Sequence, residues 1–455
     1  MEEETKPAIE SIPSTINGAR VGLSSRSFIG LAIVQFLTVL NDNTYRWLVV
    51  PIGYVLFPNS KGFVLALGLA CFVIPYILLV APAAYLADRF SKKAVIAGTM
   101  LLQAGILVLG VIAILISNSI FLFSTLALMG AQGALLAPAK GGTVPETIHP
   151  EKISAANGIL GMATVLAAVV GSVLGNTLYV LSAPFGLTRL WLSGLIVIGI
   201  SLLGWAASLF ILECKPADPE RSPPTHFFKQ TENDLNMLKS HVPLLAAASA
   251  SAFFWFLAAL AQVNVYLLGT TTLHIPQEDV GFLLAVLAAG VASGSLLAGV
   301  WSAGKIEPGL VPLGAALIAI TSFMMFIVAQ PGNTAGDSSF YLSNLFLFLM
   351  GVGSGLYEVP LQSYLQYNSP PQSRGQVLAA SNFMAFSAML IAALVFWIMQ
   401  SLLGHSASTI FVLAGIVTSM VFFAILFAVP KQTLQVVLRP FRWLASLIHP
   451  SHRRD

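Results

Sequence analysis

Apolar and polar residues along this chain segregate on the scale of whole helices. Twelve apolar runs, each near the roughly 20 residues that carry a helix across a bilayer, occupy about 28–54, 63–86, 94–116, 120–140, 155–180, 189–212, 244–269, 280–303, 309–329, 339–367, 376–403 and 407–428. The pattern predicts an all-α membrane protein with twelve transmembrane helices. Runs 1, 10 and 11 are longer than a bilayer requires, which predicts tilt or extension beyond it.

The longest polar connection, residues 213–243, divides the runs six and six. The predicted layout is an N-terminal segment 1–27, a six-helix bundle 28–212, a linker 213–243, a second bundle 244–430 and a basic amphipathic tail 431–455. Within the linker, "TENDLNMLKS" reads as a short surface helix capped by Thr231. The two halves also resemble each other. "GAQGALLAPAKGG" (130–142) followed by "SAANG" (154–158) has its counterpart in "VGSGLYEVPLQSY" (352–364) followed by "AASNF" (379–383). Pro138 aligns with Pro360, Gly133 with Gly355 and Asn157 with Asn382. Parallel six-helix repeats place a substrate site at the repeat interface near mid-membrane.

Composition agrees with this layout. With 455 residues, 56% hydrophobic, 9% charged and a mean hydropathy of +0.84, the chain has too few charges to cover a soluble fold. If the N-terminus lies inside, 19 of the 22 Lys and Arg residues fall on the inner side, leaving Lys61 and Arg189 outside and Arg46 within the membrane. By the positive-inside rule both termini are then cytoplasmic. The formal net charge of +3 follows from that topology and suggests no nucleic-acid partner. Glu2, Glu3, Glu4 and Glu10 are unlike the basic start of a signal peptide, so no cleavage is expected. Two cysteines, Cys71 and Cys214, are too few for a disulfide framework. The tail, apolar with interspersed arginine, suits an interfacial segment on an anionic leaflet.

Among the 19 acidic residues only Asp42 and Glu358 lie well inside the predicted spans, and Arg46 is the one basic residue there. A charge near the bilayer centre costs about 2.5–3.5 kcal/mol, so each needs a partner or a wet cavity. Asp42 and Arg46, four apart on one helical face, can neutralise each other. Asn41 and Asn43 flank the acid. One reading is a structural pair locking the first helix to a neighbour. The other is a central polar cavity, favoured because the remaining polar positions, Gln132 and Lys140, Gln262 and Asn264, and Glu358 and Gln362, fall on the first or fourth helix of each half. Gln35 and Gln103 depart from that sorting. The glycine pairs of "GSVLG" (171–175), "GVASG" (290–294) and "GVGSG" (351–355) read as tight helix packing.

Catalytic and metal chemistry find little support. "HIPQED" places His274 and Asp279 in the spacing of a histidine base and supporting acid, but on a short loop predicted to face outward. No metal-ligand cluster, phosphate-cradling glycine loop or nucleophile elbow appears in the sequence. No catalytic residue, metal or cofactor is expected. A coupling ion, sodium or proton, is left open.

The end of the second run, Leu86, Ala87, Asp88, Arg89, Phe90, Ser91, Lys92, Lys93, resembles the loop signature of the major facilitator superfamily between its second and third helices. Ala84 and Ser91 stand where that family usually has glycine. "NDN" in the first run, "APAKGG" at the end of the fourth, "ANG" in the fifth and "LYEVPLQSYLQYNSPPQSRGQVLAASNF" across the tenth and eleventh together resemble its lysophospholipid transporter branch. That branch includes the transporter portions of proteins fused to acyltransferase or acyl-ACP synthetase domains. The resemblance covers nearly all of residues 28–430. It implies two six-helix bundles rocking about a central cleft, and lysophospholipids such as lysophosphatidylethanolamine moved across the bacterial inner membrane for reacylation. It also implies a cytoplasmic acyltransferase or acyl-ACP synthetase as partner. By matching position, Asp42 and its asparagines belong to the transport cavity and Lys140 to the inner end of the fourth helix. Asp88 and Arg89, with Lys92 and Lys93, belong to a gating latch. Gly141 replaces an aromatic that often follows the "PAK" lysine, and Arg46 is basic where only part of the branch is. The alternatives are a proton-coupled exporter of amphipathic drugs, with Asp42 or Glu358 carrying the proton, and a non-transporting scaffold or sensor.

Overall fold

The computed structural model describes residues 21–56, 61–182, 191–224, 226–275, 280–302, 305–329 and 337–428. Arg189, Asp279, most of the N-terminal segment and the whole basic tail, about which the sequence carried expectations, lie outside the described residues. The described chain is predominantly helical: α1 Arg26–Leu56, α2 Lys61–Leu78, α3 Val80–Arg89, α4 Lys92–Leu115, α5 Ser119–Thr147, α6 Ile153–Ser182 and α7 Trp191–Ser208 form the first half. After α8, Phe227–Ser240, the second half comprises α9 Val242–Leu267, α10 Val280–Trp301, α11 Leu310–Val328, α12 Asp337–Asn368, α13 Arg374–Trp397 and α14 Ala407–Ala428.

Ten helices among the described residues are long and apolar enough to cross a membrane, eleven when the bent pair Ala70–Leu78 and Val80–Arg89 counts as one. The protein is a multi-pass membrane protein. Twelve such helices were expected. The difference is α1, 31 residues long, whose apolar run is interrupted by the polar stretch 41–46. Large side chains such as Leu101, Val108 and Ile112 on α4, or Phe423 and Phe427 on α14, point outward and are exposed. Water would penalise such a surface, whereas lipid tails accept it.

The second apolar run was expected as one helix and is two, bent by 60° at Leu79. Pro82 explains the bend: its ring has no N–H to offer the carbonyl of Leu78 and clashes with it. Conversely, α5 runs through Pro138 and Pro145 to Thr147. The linker helix α8 begins four residues before the expected cap, with His226 at its N-cap and Thr231 inside it.

The two halves repeat one packing scheme. In the first, α1 lies on α6, α2 on α5, and α4 on α5 and α7. In the second, α9 lies on α13, α10 on α12, and α11 on α12 and α14. Gly133 and Gly355, paired in the sequence, mark equivalent close approaches: Gly133 of α5 faces Tyr76 of α2, and Gly355 of α12 faces Gly294 of α10. The halves meet through α6 on α10 and α3 on α13.

Candidate functional site

The polar stretch of α1 resolves into two neighbourhoods. Asp42 and Arg46 do not form the direct pair their spacing allows, since no carboxylate–guanidinium contact lies within 4.0 Å. Asp42 instead accepts a hydrogen bond at its Oδ1 from Gln103 Nε2 of α4, 3.1 Å away. The Oε1 of the same Gln103 accepts from Asn41 Nδ2 at 3.4 Å and from the Ser201 hydroxyl of α7 at 3.0 Å. Arg46 donates to Asn43 Oδ1 at 2.8 Å and lies over the Phe72 ring, 5.9 Å from its centroid. Helical spacing permits the Asp–Arg pair but does not compel it, and a better-placed amide takes each side chain.

Lys140 of α5 is half-buried and, with Arg46, acts electrostatically on Asp42. The ammonium has no hydrogen-bond or ion-pair partner among the described residues. Its expected place at a helix end is corrected: α5 continues seven residues beyond it, to Thr147. In the second half, Glu358 Oε1 of α12 accepts from the Ser251 hydroxyl of α9 and from Gln362 Nε2, each at 2.8 Å. Trp255 faces the same carboxylate.

Three of the candidate residues are turned into contacts within one bundle. Asn41 is fully buried against Gln103. Gln132, also fully buried, donates to the Thr99 carbonyl of α4 at 3.0 Å. Asn264 donates to the Ala407 carbonyl at 3.0 Å, tying α9 to the start of α14. Gln262 is exposed on α9.

One end of the bundle interface, the end carrying the linker, is closed in layers. Outermost is a charged layer that joins both halves. Asp88, fully buried, accepts from the Gly375 N–H in the first turn of α13 at 2.8 Å and pairs with Arg221 of the linker at 2.5 Å. A carboxylate at a helix N-terminus also meets the positive end of the helix dipole. Arg221 reaches Asp234 of α8 at 3.7 Å, and Asp234 accepts from Gln376 of α13 and Gln230, both at 3.0 Å. Beside this set, Glu146 of α5 receives Lys92 at 2.6 Å and Arg374 at 3.5 Å. Arg89 and Lys93, expected in the same latch, are half-buried and have no hydrogen-bond or ion-pair partner among the described residues. Ser91, the departure from glycine, is the N-cap of α4.

Above the charges lies an apolar layer of Val80, Ala84 and Ala379. Above that, Tyr76 of α2 stacks on Phe386 of α13 with centroids 3.8 Å apart. On the opposite flank, Asn157 of α6 donates to Ser363 and Gln366 of α12 at 3.0 and 2.8 Å. Glu146, Arg221, Asp234 and Arg374 were not singled out from the sequence. Each reads there as an ordinary loop or linker charge, and only the closed interface brings them together. Gln103 carried a signal, a lone amide in an apolar run.

A family description, Major Facilitator Superfamily, matches residues 31–393. The chain belongs to the major facilitator superfamily. Within that superfamily it is similar to the lysophospholipid transporter LplT of Cronobacter sakazakii, 25% identical over 380 residues that cover 81% of this chain and 87% of that one. The lysophospholipid transporter LplT of Serratia proteamaculans is likewise 25% identical, over 374 residues, covering 81% and 87%. Among solved superfamily structures, FucP in the outward conformation superposes with a TM-score of 0.70 at 16% identity, covering 89% of this chain and 99% of FucP. A bacterial homologue of the iron transporter ferroportin in an outward-facing state gives 0.64 at 17% identity, covering 88% and 98%. These likenesses establish the superfamily fold.

Proposed function

We propose that the protein transports lysophospholipids across the bacterial cytoplasmic membrane by alternating access. The linker end and both termini face the cytoplasm, as the distribution of Lys and Arg indicates. The contacts of Asp88 with Gly375 and Arg221, which join the two halves at the linker end, serve in this reading as the cytoplasmic gate.

The observation that carries this reading is the Asp42, Arg46, Lys140 set. Buried charge in a membrane helix is costly, yet Lys140, whose ammonium has no partner among the described residues, and Arg46 both lie within electrostatic reach of Asp42. Two cations near one carboxylate suit a lipid phosphate together with an amine, and Arg can hold phosphate bidentately. The similarity to transporters named for lysophospholipids points the same way. The acyl chain stays in the lipid at the gap between bundles.

A second reading, a proton-coupled exporter of amphipathic molecules, is favoured by Glu358, whose hydrogen bonds come from the neutral Ser251 and Gln362. Reconstituted vesicles separate the two. Labelled lysophosphatidylethanolamine is expected to move between leaflets in wild-type vesicles and to stop moving in Asp42→Asn and Arg46→Ala, both still inserted. Wild-type rates in either variant would remove the set from the site. Drug movement without lysolipid movement would establish the exporter.

A further inference from the structure

Outside the cleft, a groove of about 360 Å³ opens between α2, α8 and α13, a volume within the range of small-ligand sites. Its membrane-side wall is apolar: Ile77, Leu78 and Phe383. Leu78, 49% exposed, ends α2 at the bend that Pro82 imposes, so the gap is built into the path of the chain. The opposite wall is α8. That helix turns Asp234 and Leu238, both fully buried, toward the protein, and turns Thr231, Leu235 and Lys239, spaced four apart on one face, toward the groove with Glu232 beside them.

One wall is thus oil and the other carries one carboxylate and one ammonium. Phe383 lies nine residues into α13 from Arg374, about 13 Å along the helix, the depth of one leaflet's hydrocarbon. The amphiphile at that depth is membrane lipid. Glu232 and Lys239, about 10 Å apart along α8, select among lipids by charge. An anionic headgroup would meet Lys239 but be opposed by Glu232. A phosphate carrying a primary amine satisfies both, because the ammonium offers N–H donors to the carboxylate. Among the described residues, Lys239 is held by one long 3.4 Å hydrogen bond to Asn236.

We propose that this groove holds one bilayer phospholipid with a primary-amine headgroup from the cytoplasmic leaflet: phosphate at Lys239, ammonium at Glu232, and an acyl chain along Ile77, Leu78 and Phe383. None of Asp42, Arg46, Lys140 or Glu358 lines it, so the groove's polar contacts are distinct from those of the proposed transport site, although it opens at the gap between the halves.

The test is native mass spectrometry of the purified full chain, exposed to equal amounts of phosphatidylethanolamine and phosphatidylglycerol of the same acyl composition. The expected result is one retained lipid, with the ethanolamine form favoured about fivefold. Glu232→Gln with Lys239→Gln, both at exposed positions, removes that preference. Leu235→Trp fills the groove and lowers total retention, and Arg46→Ala, in the cleft, leaves retention unchanged. Equal retention of the two lipids, a preference for phosphatidylglycerol, or a preference that survives the double substitution overturns the proposal. So does retention that depends on Arg46, which would place the lipid in the cleft. Loss of lysolipid transport in the vesicle assay with the preference intact would instead remove the transport reading and leave the groove.

Discussion

Asp42 turns away from Arg46 because Gln103 is the better partner. One amide of α4 serves three residues on two other helices, donating to Asp42 and accepting from Asn41 and Ser201. A buried polar group without a partner costs about 1–3 kcal/mol, so Gln103→Leu is expected to destabilise the first bundle by about that amount and to lower the thermal unfolding midpoint in detergent. An unchanged midpoint would mean that the cluster does not bind α1 to α4. That charges lie inside the spans was legible from the sequence, since Asp42, Arg46 and Glu358 stand out against apolar runs. Which group each one meets was not legible. A helical spacing of four brings two side chains within reach, but Asp42 takes an amide on another helix, Gln103, 61 residues away, and Arg46 takes Asn43 of its own helix.

At the scale of elements, the ends of apolar runs matched the helices closely where turn residues punctuated them; α14, Ala407–Ala428, coincides with the run 407–428. Misplaced features arise where proline acts in context. Pro82 bends the second span, whereas Pro138 and Pro145 are carried inside α5, a difference set by packing. Gly158 of α6 sits so near α10 that an added Cβ would meet the Ser295 carbonyl at 2.5 Å and Gly299 Cα at 3.3 Å. Both are backbone atoms, which cannot turn aside. Gly158→Ala should therefore force α6 and α10 apart at the linker end and speed hydrogen exchange of the amides there. Gly98→Ala, with nothing within 4 Å, is the control and should leave exchange unaltered. Equal protection in both variants would show that the bundles are not held by this contact. Gly141, the departure from an aromatic, differs: its Cβ position lies 3.3 Å from the Leu378 side chain of α13, so a larger residue there would press on a side chain of the second half.

At the scale of the whole molecule, the two halves meet along α6 on α10 and α3 on α13, and a charged layer joins them at the linker end. The "ADRFSKK" signature pointed to Asp88 and Lys92. It gave no hint that the linker itself takes part, because Arg221 and Asp234 lie in a stretch that reads as a solvated connection. The linker placement has a consequence for pH. Burial pushes the Asp234 carboxyl up to about 6. The Gln230 hydrogen bond, the attraction of Arg221 and the Gln376 hydrogen bond oppose that shift, and nearby Asp88 adds to it. If opening exposes α8, Asp234 returns toward its ordinary value of 3.8. The closed state then binds more protons than the open one between those values, so closure gains stability as pH falls through about 6 and loses it as pH rises. Spin labels at Phe90 and Gln372, on the two halves of the linker end, should report a larger short-distance population at about pH 5 than at about pH 7.5. Asp234→Asn, neutral throughout, should hold the short distance at both values. If the variant keeps the wild-type pH response, the proton that closes the latch belongs to another group.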